Sequence, residues 1–531
     1  MTSTRGPSVE MVDEMPGGAR FPVVSDDHAS RRQRWIIAAN RGPVAFRRDP
    51  DGEREHGRGS GGLATALSRL AAYLDRVEWI CAPLSDEDRA VAYEHDGAQF
   101  TVQDRDTEHH IRMLPIPDTA YEQYYSVISN PIIWFVQHCL WDLSNAPNIT
   151  ATERLAFDEG YRAVNAAFAD AIVKAVPDGE TPATVMIHDY HLYLVGDLVR
   201  RAGTDAFLTH FVHVPWPGPT SWRVLPGWMR DQLLFGLLGN DLVAFQTGRD
   251  ARNFLSCCKE LLGLDVDDQR FEVKVDGRTV TARWYPISID VAEMQAAAGS
   301  DEVVQYELAL ENVRREHLIV RVDRTDLSKN ILRGFLAYDS MLEQHPDLAG
   351  RVTFLALLQP SRQDVPEYVE YTEKILRLVA DINLKHGNVE WQPIDLRIEN
   401  NLSQAMAAYK LFDVLLVNPV FDGLNLVAKE GMLLNRHDGV LVLSEHAGAH
   451  DQIGEFALSV HPVDVEQQAE ALYTALFMPK AERRRRRKAC VEVIKRNGLG
   501  HWLESQIEDI KRLSAEMGPE RRSGGDRRRS D

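Results

Sequence analysis

The stretch Val414–Glu430, VLLVNPVFDGLNLVAKE, constrains this chain most. A short apolar run (Val414, Leu415, Leu416, Val417) stops at Asn418-Pro419. A tight loop then holds Asp422, Gly423 and Asn425, and a helix is predicted to start near Leu426 and to carry Glu430. A buried strand, a glycine loop and a helix N-terminus together place an anion site at the carboxyl end of a parallel sheet. Here the loop adds two carboxylates and an amide, which suits a sugar joined to phosphates better than a phosphate alone.

The rest of the chain repeats the theme. Trp35–Ala39, Thr184–Ile187, Leu208–Val214, Leu242–Phe245, Leu318–Val322, Val352–Leu358, Val414–Val417 and Val440–Leu443 are strand-like runs, several almost continuously apolar. Parallel strands buried on both faces read this way, and helical stretches separate many of them. The fold class expected is α/β, doubly wound. A chain of 531 residues is long for one such domain, so two Rossmann-like domains facing across a cleft are expected. The first is placed at 32–290 and the second at 291–495, with a hinge near 290–315. Residues 1–31 and 515–531 mix Gly, Pro, Ser and charges without periodicity and read as disordered arms, the second of them basic.

Composition narrows the function. The net charge of −19 argues against general nucleic-acid binding. The run Arg483–Lys488 reads as a solvated helix face rather than a binding patch. No apolar run approaches the roughly 20 residues of a membrane span, and the N-terminus lacks a signal-peptide core. No membrane partner and a cytoplasmic location are therefore expected. Five cysteines without a C-x-x-C pair make neither a disulfide framework nor a zinc site. His188 and His191 flank Asp189 at a strand end, not at helical spacing, so no metal is assigned.

Polar clusters follow the strands. Asn40-Arg41-Gly42 comes after the first, and Gly59-Ser60-Gly61-Gly62 precedes a helical run, Ala64–Tyr73. Such glycines admit a phosphate to backbone N–H groups, although plain turns use them too. The absence of G-x-G-x-x-G after a strand disfavours a nicotinamide enzyme. His188-Asp189-Tyr190-His191 puts a carboxylate where it could meet a sugar hydroxyl. His213, before Pro215-Trp216-Pro217, either faces the cleft or packs beside it. Arg324 and Lys329, in DRTDLSKN, can hold a diphosphate without a metal, or can pair with Asp323 or Asp326. Arg362 follows another strand, and with Arg41 it could close on one anion.

These motifs resemble one family. NRGPV with SGGL, QYYSVISNPIIW, IHDYHL, HVPWP, LLGNDLVAFQT, DRTDLSKN, PSRQDVPEY, DGLNLVAKE and GVLVLSEHAGA, in that order from about Arg34 to about Leu513, are similar to the retaining GT-B glycosyltransferases of the trehalose-6-phosphate synthase type. The resemblance implies transfer of glucose from a nucleotide sugar, usually UDP-glucose, to glucose 6-phosphate, without cofactor or metal. It implies that Arg324 and Lys329 hold the donor diphosphate with Gly61 and Gly62 beside it. Asp422 would contact donor-sugar hydroxyls, the Asn425-Leu426-Val427 backbone the phosphates, and Glu430 the ribose. Arg41, Tyr125, Trp134 and Arg362 would surround the acceptor phosphate. Asp189 would touch the acceptor sugar, and His213 would lie near the reacting centre. The first domain would serve the acceptor and the second the nucleotide sugar. A final helix, 496–514, would cross back to the first domain, and a homo-oligomer belongs to the same expectation.

Three positions depart from the family pattern: Phe421 stands where Arg is usual before Asp-Gly, Leu327 where Tyr is usual, and Asn330 where Gly is usual after Lys. Two other readings stay open. One is a relative with another phosphorylated acceptor, a glucosylglycerol-phosphate synthase or a pseudo-glycosyltransferase. The other is a catalytically silent sugar-nucleotide sensor.

Overall fold

The computed structural model describes residues 34–59, 66–67, 74, 77–104, 107–176, 183–363 and 365–516. Strands β1 (Arg34–Ala39), β4 (Val77–Cys81), β5 (Phe100–Asp104), β6 (Thr107–Met113), β7 (Ala183–His188), β8 (Ala206–Phe211), β9 (Leu242–Phe245), β10 (Asp265–Asp267), β11 (Glu272–Val275) and β12 (Arg278–Trp284) form the first sheet. A separate hairpin pairs β2 (Val44–Arg48) with β3 (Arg54–Arg58). The sheet order is β10-β11-β12-β9-β8-β7-β1-β4-β6-β5, and the strands from β12 to β6 run parallel. Ile36 and Ala38 of β1 face one core, and Trp35, Ile37 and Ala39 face another. That two-sided burial is why β1 reads as an unbroken apolar run.

The second sheet holds β13 (His317–Arg324), β14 (Val352–Gln359), β15 (Ile394–Ile398), β16 (Val414–Val417), β17 (Val440–Ser444) and β18 (Leu458–Val460). Its order is β15-β14-β13-β16-β17-β18, all parallel. Strand order reverses between β1 and β7 in the first sheet and between β13 and β16 in the second. Crossovers diverge at such points and leave a crevice at the carboxyl ends. Asn40-Arg41 and His188-Asp189 end the first pair; Arg324 and Asn418-Pro419 end the second.

One fully buried cation organises the second switch point. Arg321, 0% exposed on β13, pairs with Asp323 at 2.8 Å. It also donates to the carbonyls of Lys329 (3.0 Å) and Ile331 (3.2 Å) and to Asn418 Oδ1 (3.2 Å). The turn after β13 and the loop after β16 are thereby fastened to one guanidinium.

Two helices, Lys480–Arg496 and Leu499–Glu516, close the described chain. The basic run is spent internally: Arg483 reaches Asp413, Arg484 and Arg487 reach Asp438, and Arg485 and Arg486 reach Glu482. In the last helix, Leu499 N–H donates to Ile289 O (3.1 Å), Trp502 Nε1 to Tyr285 O (3.0 Å), and the Tyr285 hydroxyl to Asp509 (2.6 Å). The Trp502 ring also sits 5.7 Å from Phe211 of β8. The arm 1–31 and residues 517–531 lie outside the described residues, as does most of the helical run Ala64–Tyr73. No helix among the described residues is long and apolar enough to cross a membrane.

Trp502 is 2% exposed. Trp502→Ala should destabilise the chain by about 3–5 kcal/mol through the cavity and the lost hydrogen bond. A denaturation midpoint unchanged from wild type would contradict this packing.

Candidate active site

The cationic residues at the end of β13 are assembled by a tight turn. After β13 the chain makes a short 3-10 turn, Leu327–Lys329, and the helix begins at Ile331. Asn330 links the two with φ 58°, a left-handed backbone. Glycine is at ease there, and asparagine tolerates it better than most residues. The departure at Asn330 is thus a conformational equivalent, and it adds contacts a glycine lacks. Its Nδ2 donates to Asn418 O (2.9 Å) and Pro462 O (2.6 Å). Leu327 packs against the first domain's core, and Phe421 stacks on His446 (4.6 Å, 6°).

Lys329 Nζ pairs with Asp422. Asn425 Nδ2 donates to the same carboxylate at 3.1 Å, while its Oδ1 accepts from Ala428 N–H at 3.2 Å. Asn425 therefore caps the helix Leu426–Leu434. The free N–H groups of Leu426 and Val427 belong to the first turn of that helix. Burial pushes the Asp422 carboxyl up, but Lys329 beside it holds it below the usual range. Glu430 lies one turn on and accepts from the Tyr409 hydroxyl (3.3 Å). Burial raises its carboxyl to about 7.

A second cluster forms around Arg362. Its guanidinium lies over Trp134 (4.8 Å) and Tyr368 (5.0 Å). It donates to the Tyr190 hydroxyl (3.2 Å) on the first sheet and pairs with Asp326 (3.4 Å). Asp326, fully buried, also pairs with Arg324. Burial pushes the Asp326 carboxyl up, and the two arginines bring it down to about 2. Tyr190 in turn donates to Asn130 Oδ1 (2.7 Å), and Asn130 to the Tyr125 carbonyl (3.0 Å). Burial raises the Tyr125 hydroxyl, yet Arg362 and Arg41 beside it set it below the usual phenol range. Arg41, Tyr125 and Arg362 therefore share one electropositive pocket. Trp134, 2% exposed, forms the floor beneath Arg362 rather than its open wall.

At the first switch point Asp189 adopts φ 71°, a strained value for a non-glycine residue. Its Oδ1 accepts from His213 N–H (3.3 Å), and burial raises its carboxyl to about 6. The loop after β16 meets this point directly. A Cβ at Gly423 would lie 2.0 Å from the His213 carbonyl oxygen. Asp189, His213, Asp422, Lys329, Arg324 and Arg362 are thus gathered into one cleft. Gly61 and Gly62 lie outside the described residues.

Asp326 is the organiser that sequence reading treats only as an ion-pair partner; a short acidic residue in a polar run carries no signal of burial. Tyr368 and Tyr190 as supports of Arg362 were equally silent. Among the described residues, Glu445, His446 and His461 bring possible ligand atoms within 4.8 Å of one another. His461 Nδ1 accepts from Val463 N–H at 3.4 Å, which leaves the proton on the nitrogen a metal would need.

The family model for glycosyltransferase family 20 matches residues 33–512. The chain belongs to that family. It is 31% identical over 502 residues to the alpha,alpha-trehalose-phosphate synthase [UDP-forming] of Schizosaccharomyces pombe, across 91% of this chain and 92% of that one. It is 34% identical to the trehalose-6-phosphate synthase of Cronobacter sakazakii, across 76% and 83%. Solved relatives superpose well. One is an E. coli protein bound with UDP-2-fluoro glucose (29% identity, TM-score 0.75, covering 90% of this chain and 99% of that one). Another is a UDP-forming synthase from Burkholderia xenovorans in complex with glucose-6-phosphate (27%, TM-score 0.76, 90% and 100%). The two facing sheets are the GT-B architecture of the family.

Glu430 supplies a test of the site's electrostatics. Its folded carboxyl takes a proton near pH 7, against an ordinary 4.5. Between those values the folded chain keeps a proton that the unfolded chain has lost, so this group lowers stability as pH rises through the window. Glu430→Gln should remove a loss on the order of 2 kcal/mol. The difference in denaturation midpoint between variant and wild type, followed from pH 5 to 8, measures it; a flat difference would refute the shift.

Proposed function

We propose that this chain is a retaining glucosyltransferase that moves glucose from a nucleotide sugar, UDP-glucose first among them, to glucose 6-phosphate, giving α,α-trehalose 6-phosphate. The observation that carries this reading is the meeting of two cationic sites within the family's fold: Arg324 with Lys329 at the second switch point, and Arg362 of the second sheet with Arg41 of the first. One suits a diphosphate and the other a phosphate monoester, with sugar-binding carboxylates between them.

In this reading Arg324 and Lys329 hold the donor diphosphate, and the N–H groups of Leu426 and Val427 add to them. Asp422 accepts from donor-sugar hydroxyls, and Asn425 keeps that carboxylate aimed. Glu430 takes the ribose hydroxyls. Arg41, Tyr125 and Arg362 grip the acceptor phosphate over Trp134, and Asp189 orients the acceptor sugar next to His213. Residues 32–290 form the acceptor domain, 291–495 the donor domain, and 496–514 the crossing helix.

The charges fit the chemistry. A retaining transfer passes through an oxocarbenium-like state while negative charge grows on the leaving diphosphate. Fixed cations aimed at that charge lower the barrier without reorganising. Lys329 is paired with Asp422. A diphosphate draws the same ammonium, which frees Asp422 to meet the sugar.

Nucleotide release by the purified protein tests this, with UDP-, ADP- and GDP-glucose crossed against glucose 6-phosphate and glycerol 3-phosphate. Trehalose 6-phosphate is the expected product. Product with glycerol 3-phosphate alone would replace the acceptor, and donor binding without any turnover would favour a sensor. Arg324→Ala and Lys329→Ala should each lose about 100-fold or more in rate, roughly 3–4 kcal/mol of barrier, with the fold kept. Turnover near wild type in either variant would defeat the assignment.

A further inference from the structure

Outside these substrate-facing groups, one buried amide connects the hinge to the reacting centre. Gln246 follows β9 and is 1% exposed. Its Oε1 accepts from the Ile287 N–H (2.9 Å), and its Nε2 lies 3.0 Å from His213 Nδ1. A backbone N–H can only donate, so it dictates which end of the amide faces Ile287. The NH2 end then faces His213, and an amide nitrogen can only donate as well. His213 Nδ1 must therefore accept, and in the neutral ring the hydrogen resides on Nε2. The next contact agrees: His213 Nε2 lies 3.2 Å from His188 Nδ1, which can accept. Burial holds the His213 ring well below its ordinary titration range.

The Ile287 peptide is fixed from its other side. Its carbonyl accepts from Lys429 Nζ at 2.8 Å, and Lys429 is fully buried in the donor-side helix, next to Glu430. A single peptide in the segment between the two sheets is thus held by the donor helix on one side and aims Gln246 on the other.

We propose that Gln246 is a positioning residue that sets the His213 tautomer from the Ile287 peptide, so that His213 Nδ1 accepts from the amide and its Nε2–H donates to His188 Nδ1. The relay holds the ring between Gln246 and His188, and with it the backbone carbonyl that the loop at Gly423 meets. The mechanistic weight rests on the proposed transfer reaction, whereas the tautomer itself does not.

Long-range 1H–15N correlation on protein labelled with 15N-histidine reads the tautomer without any substrate, with His213 assigned by its loss in His213→Asn. The wild-type protein should show an unprotonated Nδ1 and a protonated Nε2. In Gln246→Glu the carboxylate still accepts from Ile287 N–H but cannot donate to the ring, so the pattern should reverse. Its kcat should fall about tenfold or more, while both KM values stay within about threefold. An Nδ1–H pattern in the wild type, or an unchanged kcat in a folded Gln246→Glu, would overturn the proposal. If Gln246→Glu does not fold, the wild-type pattern alone decides the tautomer. Failure of every donor–acceptor pair in wild type would instead strike the proposed reaction and leave the tautomer measurement standing.

Discussion

A guanidinium removed from water must find partners for its hydrogens, and Arg321 meets that demand with the parts that build the second switch point. Its contacts are an aspartate on its own strand, two carbonyls of the following turn and helix, and the side chain of Asn418. Unpaired burial of such a charge costs several kcal/mol, so these segments cannot drift apart cheaply. Lys329 projects from the turn that Arg321 clamps, and Asp422 from the loop that begins at Asn418. The pairing of Lys329 with Asp422 is therefore a consequence of a charge that never touches the cleft.

Asp326 plays the matching part between the two pockets. It is shared by Arg324, which ends β13, and Arg362, which follows the neighbouring β14. A single buried carboxylate thus balances the cation read as donor-facing and the cation read as acceptor-facing. Arg362 is further held by stacking on Trp134 and Tyr368 and by the Tyr190 hydroxyl of the opposite sheet. In the proposed reading the pre-set guanidinium would lose little freedom on meeting a phosphate, the usual advantage of a planar, stacked arginine.

Much of this is legible in the sequence, for identifiable reasons. Strands buried on both faces, such as Val414–Val417, stand out as apolar runs, and polar residues placed just after them fall at the carboxyl edge. Half-exposed elements are less legible. Thr107–Met113, TEHHIRM, alternates burial along a half-exposed strand, and its charged residues mask the period. The hairpin β2–β3 is obscured in the same way by Arg47, Arg48 and Arg54. Asn330 reads as a departure until its left-handed backbone is seen. Trp134 reads as a wall of the pocket until its burial beneath Arg362 shows it to be a floor. The network from Gln246 to Lys429 joins residues far apart in the chain, and no local pattern encodes it.

The last helix carries a mechanical consequence. Because it returns to Tyr285, Ile289 and Phe211, the polypeptide passes between the two sheets twice, and the two passages lie side by side, with Leu499 hydrogen-bonded to Ile289. A body tethered by one strand can swing and twist in any direction. A body tethered by two adjacent strands behaves like a door on two pins: bending about the line through both is soft, and torsion is stiff. Any opening of the cleft would then follow a single arc, and closing along it would return Gly423 to the carbonyl of His213.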